Sequence, residues 1–360
     1  MTISESAVRV GLIGYGFSGK TFHAPLIAAA PGLALRAVAS RDPEKVHADF
    51  PEAAVHKTPV TLATSPDIDL VVIASPNPSH APLARLALDA GKHVVVDKPF
   101  TLDLASARDL VALADAKDLI LSVFHNRRWD SDFLTIRRAL AQGLAGAVSQ
   151  FEAHFDRFRP QVRDRWREDG SLGGGLWFDL GPHLIDQALQ LFGLPDRVQA
   201  NFAHQRAGAR AEDWAHVVLD YGQRRAVLHA AMLVAGGTSR FVVHGEAGSL
   251  EKRHGDPQEA QLIGGMRPGD AGWGHDPDPL IVYGPNHERR TIAATPGDQS
   301  RYYTSLVDAL NGRTSDAVTS IQALAVMSIL EAAIESARLR RSVDLPLTAE
   351  ERRRFEATAV

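Results

Sequence analysis

The chain opens with a short apolar alternation. Val8, Val10 and Leu12 alternate with Arg9, Gly11 and Ile13, the pattern of a short buried strand. A glycine-rich stretch follows, and residues 21–30 then read as a helix. Further apolar strands are expected at residues 33–40, 68–74, 93–96 and 120–123. Helices fit residues 80–90 and 103–116. In the second of these, Leu104, Ala107, Leu110, Val111 and Ala114 share one face. Past residue 124 the pattern changes. Residues 132–141 read as a helix. Residues 149–157 then alternate strictly, with Ser149, Phe151, Ala153, Phe155 and Arg157 on one side and Gln150, Glu152, His154 and Asp156 on the other. That is a strand with one wet face. More strands are expected at residues 197–204, 214–221, 226–233, 240–244 and 249–252. Gaps as short as Gly222-Gln223 predict antiparallel pairing.

The remaining stretches are less regular. Residues 159–175 are rich in Arg and Gly, ending in Gly173-Gly174-Gly175, where a glycine triplet before a helix allows close approach. Residues 255–285 are rich in Gly, Pro and Asp without a clear period and read as a loop or flap. Residues 318–341 form a helix with Ala323, Val326, Leu330, Ala333 and Ala337 on one face. Arg338, Arg340 and Arg341 stand at its end, as the helix dipole favours. Residues 348–360 read as a polar helical tail. No internal repeat is present.

Composition narrows the class. At 360 residues the chain is long enough for two domains. An apolar fraction of 45% and a charged fraction of 23% are ordinary for a soluble globular protein. A net charge of −4 argues against a nucleic-acid partner. The absence of cysteine removes disulfides, thiolate catalysis and cysteine–zinc sites. No apolar run is expected to span a membrane. The first strand starts at about Val8, so no signal peptide is expected and the cytoplasm is the expected location. Fifteen histidines show no H-E-x-x-H or similar spacing, and no metal is expected.

The chemistry begins directly after the first strand. Gly14-Tyr15-Gly16-Phe17-Ser18-Gly19 is a G-x-G-x-x-G between a strand and a helix. Gly14 permits a tight turn, Gly16 lets a pyrophosphate approach the backbone, and Gly19 lets the helix pack on the strand. Free N–H groups at the helix start then face the phosphates. Tyr15, Phe17 and Ser18 complete this candidate cofactor loop. The strand over residues 33–40 runs into Ser40-Arg41, where a hydroxyl and a guanidinium suit a ribose 2′-phosphate. NADP is therefore expected over NAD, although Asp42 one position later keeps NAD open. Ser75-Pro76-Asn77-Pro78-Ser79-His80 is a loop shaped by two prolines at the carboxyl end of a strand, where α/β folds bind ligands. Ser75, Pro76, Asn77 and His80 are candidate cofactor contacts. The other reading of Asn77 and His80 is that they cap the next helix. Lys98, fixed by Pro99 at the end of a buried strand, can polarise a substrate oxygen if it enters the cofactor cleft. Together these elements predict an α/β Rossmann domain over residues 1–124. An α+β domain with a large, mostly antiparallel sheet is expected over residues 125–360.

In the second domain, Asn126 and Arg127 can close over cofactor or substrate, whereas Arg128 reads as an exposed connector. Trp166 can wall a sugar or cyclitol ring or pack under its own loop, and Arg163 lies in the same stretch. Asp179 and His183, four apart, share a helix face, with Pro182 in a first turn and Leu184, Ala188, Leu191 and Phe192 on the buried side. A carboxylate orienting an imidazole is what a general base needs. By spacing alone such pairs are usually structural.

The stretches GLIGYGFSGKTFHAP, ASPNPSH and VVVDKPF resemble the Gfo/Idh/MocA oxidoreductase family, and the resemblance extends over essentially the whole chain. The family usually carries Glu-Lys-Pro where this chain has Asp97-Lys98-Pro99. YGFSGKTFHAPLI, FHNRRWD and DRWRE are most similar to NADP-dependent scyllo-inositol dehydrogenases. The resemblance implies Lys98, Asp179 and His183 as the catalytic group. Read from their own stretches, Asn126, Arg163 and Trp166 are candidates to join them around a small polyol or sugar. It also implies reversible oxidation of one secondary hydroxyl of a cyclic polyol to a ketone, with NADP as cofactor. In this family the large sheet commonly forms a subunit interface, which implies a homodimer or homotetramer. An aldose dehydrogenase or reductase would use the same three residues. A non-catalytic NADP-binding regulator is a further alternative, against which the retention of all three argues.

Overall fold

The computed structural model describes residues 7–314 and 318–358, so the last two residues of the expected helical tail lie outside the described residues. The chain divides into two compact units. The first runs to Asn126 and also takes in Gln258–Trp273 and Asp298–Leu324. A single boundary at residue 124 does not provide those two later segments. The second unit holds Arg127–Pro257, Gly274–Gly297 and Ala325–Val360.

The first unit is built on six parallel strands: β1 (Val8–Ile13), β2 (Leu33–Ala39), β3 (Ala54–His56), β4 (Leu70–Ile73), β5 (His93–Val96) and β6 (Leu121–Val123). Their order is β3-β2-β1-β4-β5-β6. This is the doubly wound Rossmann arrangement, in which the direction of winding reverses between β1 and β4. The central strands are buried on both faces: Val10, Leu12, Leu70, Val71, Val72, Val94, Val95 and Val96 have no exposed surface. That burial explains their continuous apolar runs. Residues 42–67, which carry little apolar pattern, add the edge strand β3 and two short helices. These helices, Pro43–Asp49 and Pro59–Ala63, are capped by Asp42 and Thr58. Because every strand is parallel, all six carboxyl ends lie along one edge of the sheet.

The later segments of this unit hold that scaffold. Helix Gln258–Ile263 packs on the π-helical turn Gly19–His23, which precedes helix Ala24–Ala29. Helix Arg301–Leu310 buries Tyr302 and Tyr303. The Tyr302 hydroxyl donates to Ser122 Oγ at 2.9 Å.

The second unit carries nine strands: β7 (Val148–Asp156), β8 (Arg197–Ala203), β9 (Trp214–Tyr221), β10 (Arg224–Ala231), β11 (Phe241–Gly245), β12 (Gly248–Lys252), β13 (Leu280–Tyr283), β14 (Arg289–Ile292) and β15 (Val343–Asp344). Their order is β14-β13-β12-β11-β7-β10-β9-β8-β15. Every pair is antiparallel except β7 with β10, which the short-connection argument does not reach because those strands are distant in sequence. Phe151, Ala153, Leu228 and Ala230 point to the buried face, where helix Leu176–Phe192 packs. That helix begins earlier than its proline suggests. Pro182 lies inside it rather than in the first turn, so it offers no N–H to the carbonyl of Phe178 one turn before.

Three expectations change. Arg128 is not an exposed connector: it is buried, and its guanidinium grips both oxygens of buried Asp186 at 2.6 and 2.9 Å. Residues 255–285 are not a loop throughout, since they contain helix Gln258–Ile263 and β13. The segment is also tethered: Asp256 accepts from Ser131 N at 2.6 Å, and fully buried Lys252 binds Asp276 at 3.1 Å and Asp278 at 2.5 Å. Finally, helix Ser320–Leu339 is long and apolar enough to cross a membrane by length and composition, against the expectation of no such run. Within the fold it is 72% buried, as a core helix is.

Candidate active site

In the first unit, four loops leave the carboxyl edge of the parallel sheet. They follow β1 (Gly14–Gly19), β2 (Ser40, Arg41), β4 (Ser75–His80) and β5 (Asp97–Phe100). The three glycines of the first loop are distinguishable by what a side chain would meet. Gly14 has φ +97°, and a Cβ there would lie 2.7 Å from the Ala74 carbonyl oxygen. At Gly19 it would lie 2.0 Å from the Gly14 carbonyl oxygen. Both are therefore required by the protein's own packing. At Gly16 a Cβ would meet nothing within 4 Å. The fold leaves that space open, as close approach of a pyrophosphate requires. The residues present therefore fit a dinucleotide.

The other loop residues divide between main-chain and side-chain roles. Tyr15 turns its ring inward and donates from its hydroxyl to Asp49 at 2.8 Å, while Phe17 stays exposed. Burial, reinforced by Asp49, pushes the Tyr15 pKa up. Ser18 Oγ donates to Asp97 at 2.5 Å. Ser40 Oγ closes a turn with the main chain of Asp42. Arg41 is exposed, and no hydrogen bond or ion pair engages its side chain among the described residues. Asp42 accepts from Lys45 N at 3.0 Å as the cap of helix Pro43–Asp49. Ser75 Oγ pairs with Ser79 Oγ at 2.6 Å, Pro76 accepts from the same Ser79 hydroxyl at 2.7 Å, and Asn77 is buried at the start of a 3₁₀ turn. His80 is buried with Nδ1 2.8 Å from the Pro99 carbonyl and Nε2 2.9 Å from the Ser75 carbonyl. Burial lowers its pKa, and a neutral ring donates from one nitrogen only. Both nitrogens face main-chain carbonyls, and the one that carries the proton donates, so His80 ties its own loop to one of the two carbonyls at a time. Asn126 is buried at the end of the unit.

Sequence reasoning missed a buried polar cluster beside Lys98. Asp97 accepts from Ser18 and from Lys98 N (2.7 Å), and lies 3.6 Å from His23 Nε2. His23 is fully buried, with Nδ1 2.6 Å from the Tyr303 hydroxyl. Burial opposes the charge on Asp97, yet His23, Lys98 and Ser18 hold its carboxyl well below the usual range. A fixed anion thus stands beside the half-buried lysine, and it also ties the glycine loop to the end of β5. No local signal marked it, since His23 ends the turn Gly19–His23 beside Lys20 and Thr21 and its partners lie far along the chain.

In the second unit, helix Leu176–Phe192 carries Asp179 and His183 one turn apart. His183 is buried, with the Phe155 ring centroid 6.3 Å away. Asp179 is more exposed and has the Arg167 guanidinium 3.6 Å away. Arg167 also lies over the Trp166 ring at 4.6 Å. Trp166 is half-buried, Arg163 is exposed, and the backbone N–H of Arg163 is held by Glu168 at 3.1 Å. Gly175 caps the helix with φ +88°, and a Cβ there would overlap the Glu212 carboxylate. Glu212 accepts from Trp177 N at 3.3 Å, and burial pushes its pKa up. A partly charged, partly apolar surface thus surrounds Asp179. Arg127 pairs with Asp130 at 2.9 Å and lies 5.2 Å from the Phe155 ring centroid.

A parallel doubly wound sheet whose glycine loop fits a dinucleotide is the fold of NAD(P)-dependent oxidoreductases. Residues 8–125 match the NAD-binding Rossmann fold of the Gfo/Idh/MocA oxidoreductase family, and residues 137–345 match its C-terminal alpha/beta domain. The chain belongs to that family. It is 51% identical over 341 residues to the uncharacterized oxidoreductase YdgJ of Escherichia coli, covering 94% of this chain and 99% of that one. It is 35% identical over 343 residues to IolW of Bacillus subtilis, a scyllo-inositol 2-dehydrogenase (NADP(+)), covering 94% and 96%. Among crystal structures, an oxidoreductase from Klebsiella pneumoniae superposes with a TM-score of 0.93 at 55% identity, covering 99% of this chain and 100% of that one.

Proposed function

We propose that the protein is an NADP-dependent dehydrogenase of the cytoplasm that oxidises one secondary hydroxyl of a cyclic polyol, such as scyllo-inositol, to a ketone. The cofactor choice rests on Arg41. Its guanidinium is exposed and unengaged at the end of β2, whereas the neighbouring Asp42 carboxylate is already committed to capping a helix. An unpaired cation suits a 2′-phosphate, and a committed carboxylate is a poor partner for a 2′-hydroxyl. The similarity to IolW favours the polyol.

The family resemblance supports the following roles. Lys98 holds and polarises the substrate oxygen, stabilising alkoxide character. His183 takes the hydroxyl proton, and Asp179 orients His183 or binds a neighbouring hydroxyl. When bound, the nicotinamide supplies the hydride acceptor. The main chain of the Gly14–Gly19 loop holds its phosphates. We also infer a homodimer or homotetramer, which light scattering after size exclusion tests.

The decisive assay is initial rate with scyllo-inositol, myo-inositol and a panel of aldoses, each with NADP⁺ and with NAD⁺. Activity on an inositol with NADP⁺ is expected. Activity on aldoses alone would discard the polyol and keep the mechanism. His183→Ala is expected to lose turnover while still binding NADPH, and full activity in that variant would refute the assignment of the base.

A further inference from the structure

The open face of the nine-stranded sheet carries a second constellation, within the second unit. On β7, Glu152, His154 and Asp156 point away from the buried face. The register sets His154 opposite His229 of β10, and His229 opposite His216 of β9. One ligand atom from each of His154, Asp156 and His229 falls within 4.8 Å of the others. His154 Nδ1 lies 3.5 Å from Asp156 Oδ2, and His229 Nε2 lies 3.6 Å from Asp156 Oδ1. These separations are long for hydrogen bonds. The two contacts end on different oxygens of Asp156, and at 3.5 and 3.6 Å they stand just beyond the separation of about 3.3–3.4 Å between neighbouring ligands of a tetrahedral ion with metal–ligand bonds near 2.0–2.1 Å.

Three further observations point to a ligand rather than a plain polar surface. The Asp156 side chain is 2% exposed, and its Oδ1 has no hydrogen-bond partner among the described residues. His154 Nδ1 is buried and equally unpartnered. Two buried polar atoms left in this way are costly unless something completes them. A supporting shell is present for His154 and Asp156, while His229 Nδ1 has no hydrogen-bond partner among the described residues. His154 Nε2 lies 3.1 Å from Glu152 Oε2, and the tautomer that donates its N–H there turns the Nδ1 lone pair to an ion held with Asp156. The Thr238 hydroxyl donates to Asp156 Oδ2. A ligating histidine held by a carboxylate through its other nitrogen is the usual second layer of a metal site. Trp214 meets His229 edge-on at 5.5 Å and stacks on His216 at 5.9 Å, forming an aromatic wall.

We propose that His154 Nδ1, Asp156 and His229 Nε2 bind one divalent transition-metal ion of the zinc class. Two imidazoles and one carboxylate suit this class over magnesium or calcium, which prefer oxygen alone. The fourth position falls to water or an added ligand. Phe155, between the two β7 ligands, points to the opposite face and touches His183, so this site is separate from the proposed base.

The test uses the full-length, untagged protein, stripped with chelator and dialysed against Zn²⁺, with metal read by mass spectrometry. Co²⁺ in place of Zn²⁺ adds a visible spectrum that reports tetrahedral nitrogen and oxygen ligands. The wild type is expected to take up one Zn²⁺ more than the Asp156→Asn and His229→Gln variants. Glu152→Gln keeps all three ligands and loses only the supporting carboxylate. It is expected to weaken binding roughly 10–100-fold, and it carries the test if a ligand variant does not fold. Equal uptake by wild type and folded ligand variants, or an unchanged affinity in Glu152→Gln, would overturn the site. Neither result depends on turnover.

Discussion

Gly16 and Gly19 are three residues apart in one loop, and the structure gives them opposite requirements. A Cβ at Gly19 would sit 2.0 Å from the Gly14 carbonyl oxygen. Even close carbon–oxygen contacts stay near about 3.3 Å, so the helix start and the strand end must separate by more than about 1 Å. Both partners are main chain, and neither can rotate away. Overpacking of this kind costs about 1–3 kcal/mol, and a main-chain clash belongs in the upper half of that range. Gly19→Ala is therefore expected to lower the stability of the cofactor-free protein by about 2–3 kcal/mol. Gly16 has ordinary φ and open space around it. Gly16→Ala should leave cofactor-free stability within about 0.5 kcal/mol of wild type, or raise it slightly by narrowing the unfolded ensemble. Its methyl group instead occupies the approach of the pyrophosphate. Loss of one charge-assisted hydrogen bond costs about 1.5–3 kcal/mol, which is roughly a ten- to hundredfold rise in Kd.

The assay pairs urea unfolding of the cofactor-free protein, followed by circular dichroism, with NADPH titration by fluorescence. The two variants should separate cleanly, Gly19→Ala in the unfolding curve and Gly16→Ala in the titration alone. Wild-type affinity in Gly16→Ala would mean that the phosphates do not pass this backbone. A wild-type unfolding midpoint in Gly19→Ala would mean that the contact with Gly14 is not a constraint.

Arg41→Ala should weaken NADPH binding by roughly ten- to hundredfold, the worth of a charge-assisted phosphate contact at about 1.5–3 kcal/mol, while leaving NADH binding unchanged; parallel titrations check it. Arg128→Met strands the buried Asp186 carboxylate and should cost about 3–5 kcal/mol, read as a lower urea midpoint, whereas Arg128→Met with Asp186→Leu should recover most of that loss. Glu212 has its pKa raised by burial, so the folded state holds its proton more tightly than the unfolded state does. Its contribution to stability is full below the unfolded carboxyl value and is lost as pH rises through the raised folded one; Glu212→Gln should flatten that decline, and parallel slopes of urea midpoint against pH in both proteins would contradict it.

How far these features could be read from sequence depends on how local their cause is. The strands β4 and β5 are legible because burial on both faces makes each an apolar run, and β1, β2 and β6 keep enough of that pattern to be read despite Arg9, Arg36 and Ser122. The glycine loop is legible because its spacing is set within six residues. Strand β3 is not: Ala54–His56 is a three-residue edge strand without a fully buried side chain. Its existence follows from pairing with β2 rather than from its own pattern. The same reason hid the polar cluster beside Lys98. Asp97, His23 and Tyr303 are each unremarkable in their own segments, and Tyr303 lies 280 positions from the histidine it meets. Arg128 shows how burial reverses a reading. An Arg-Arg pair in a connector looks solvated until Asp186, on a helix 58 residues later, supplies both carboxylate oxygens to one of them. The second constellation is half legible. The spacing His154-x-Asp156 already sets two polar groups on one face of a strand, as the alternation shows. The third member comes from β10, which pairs with β7 in parallel across a gap of more than sixty residues. Antiparallel hairpins announce their register through their turns, and a parallel pair has no turn between its strands. The partner of His154 is therefore set by the sheet as a whole, and the parallel register that hid His229 from the sequence is what brings it to Asp156.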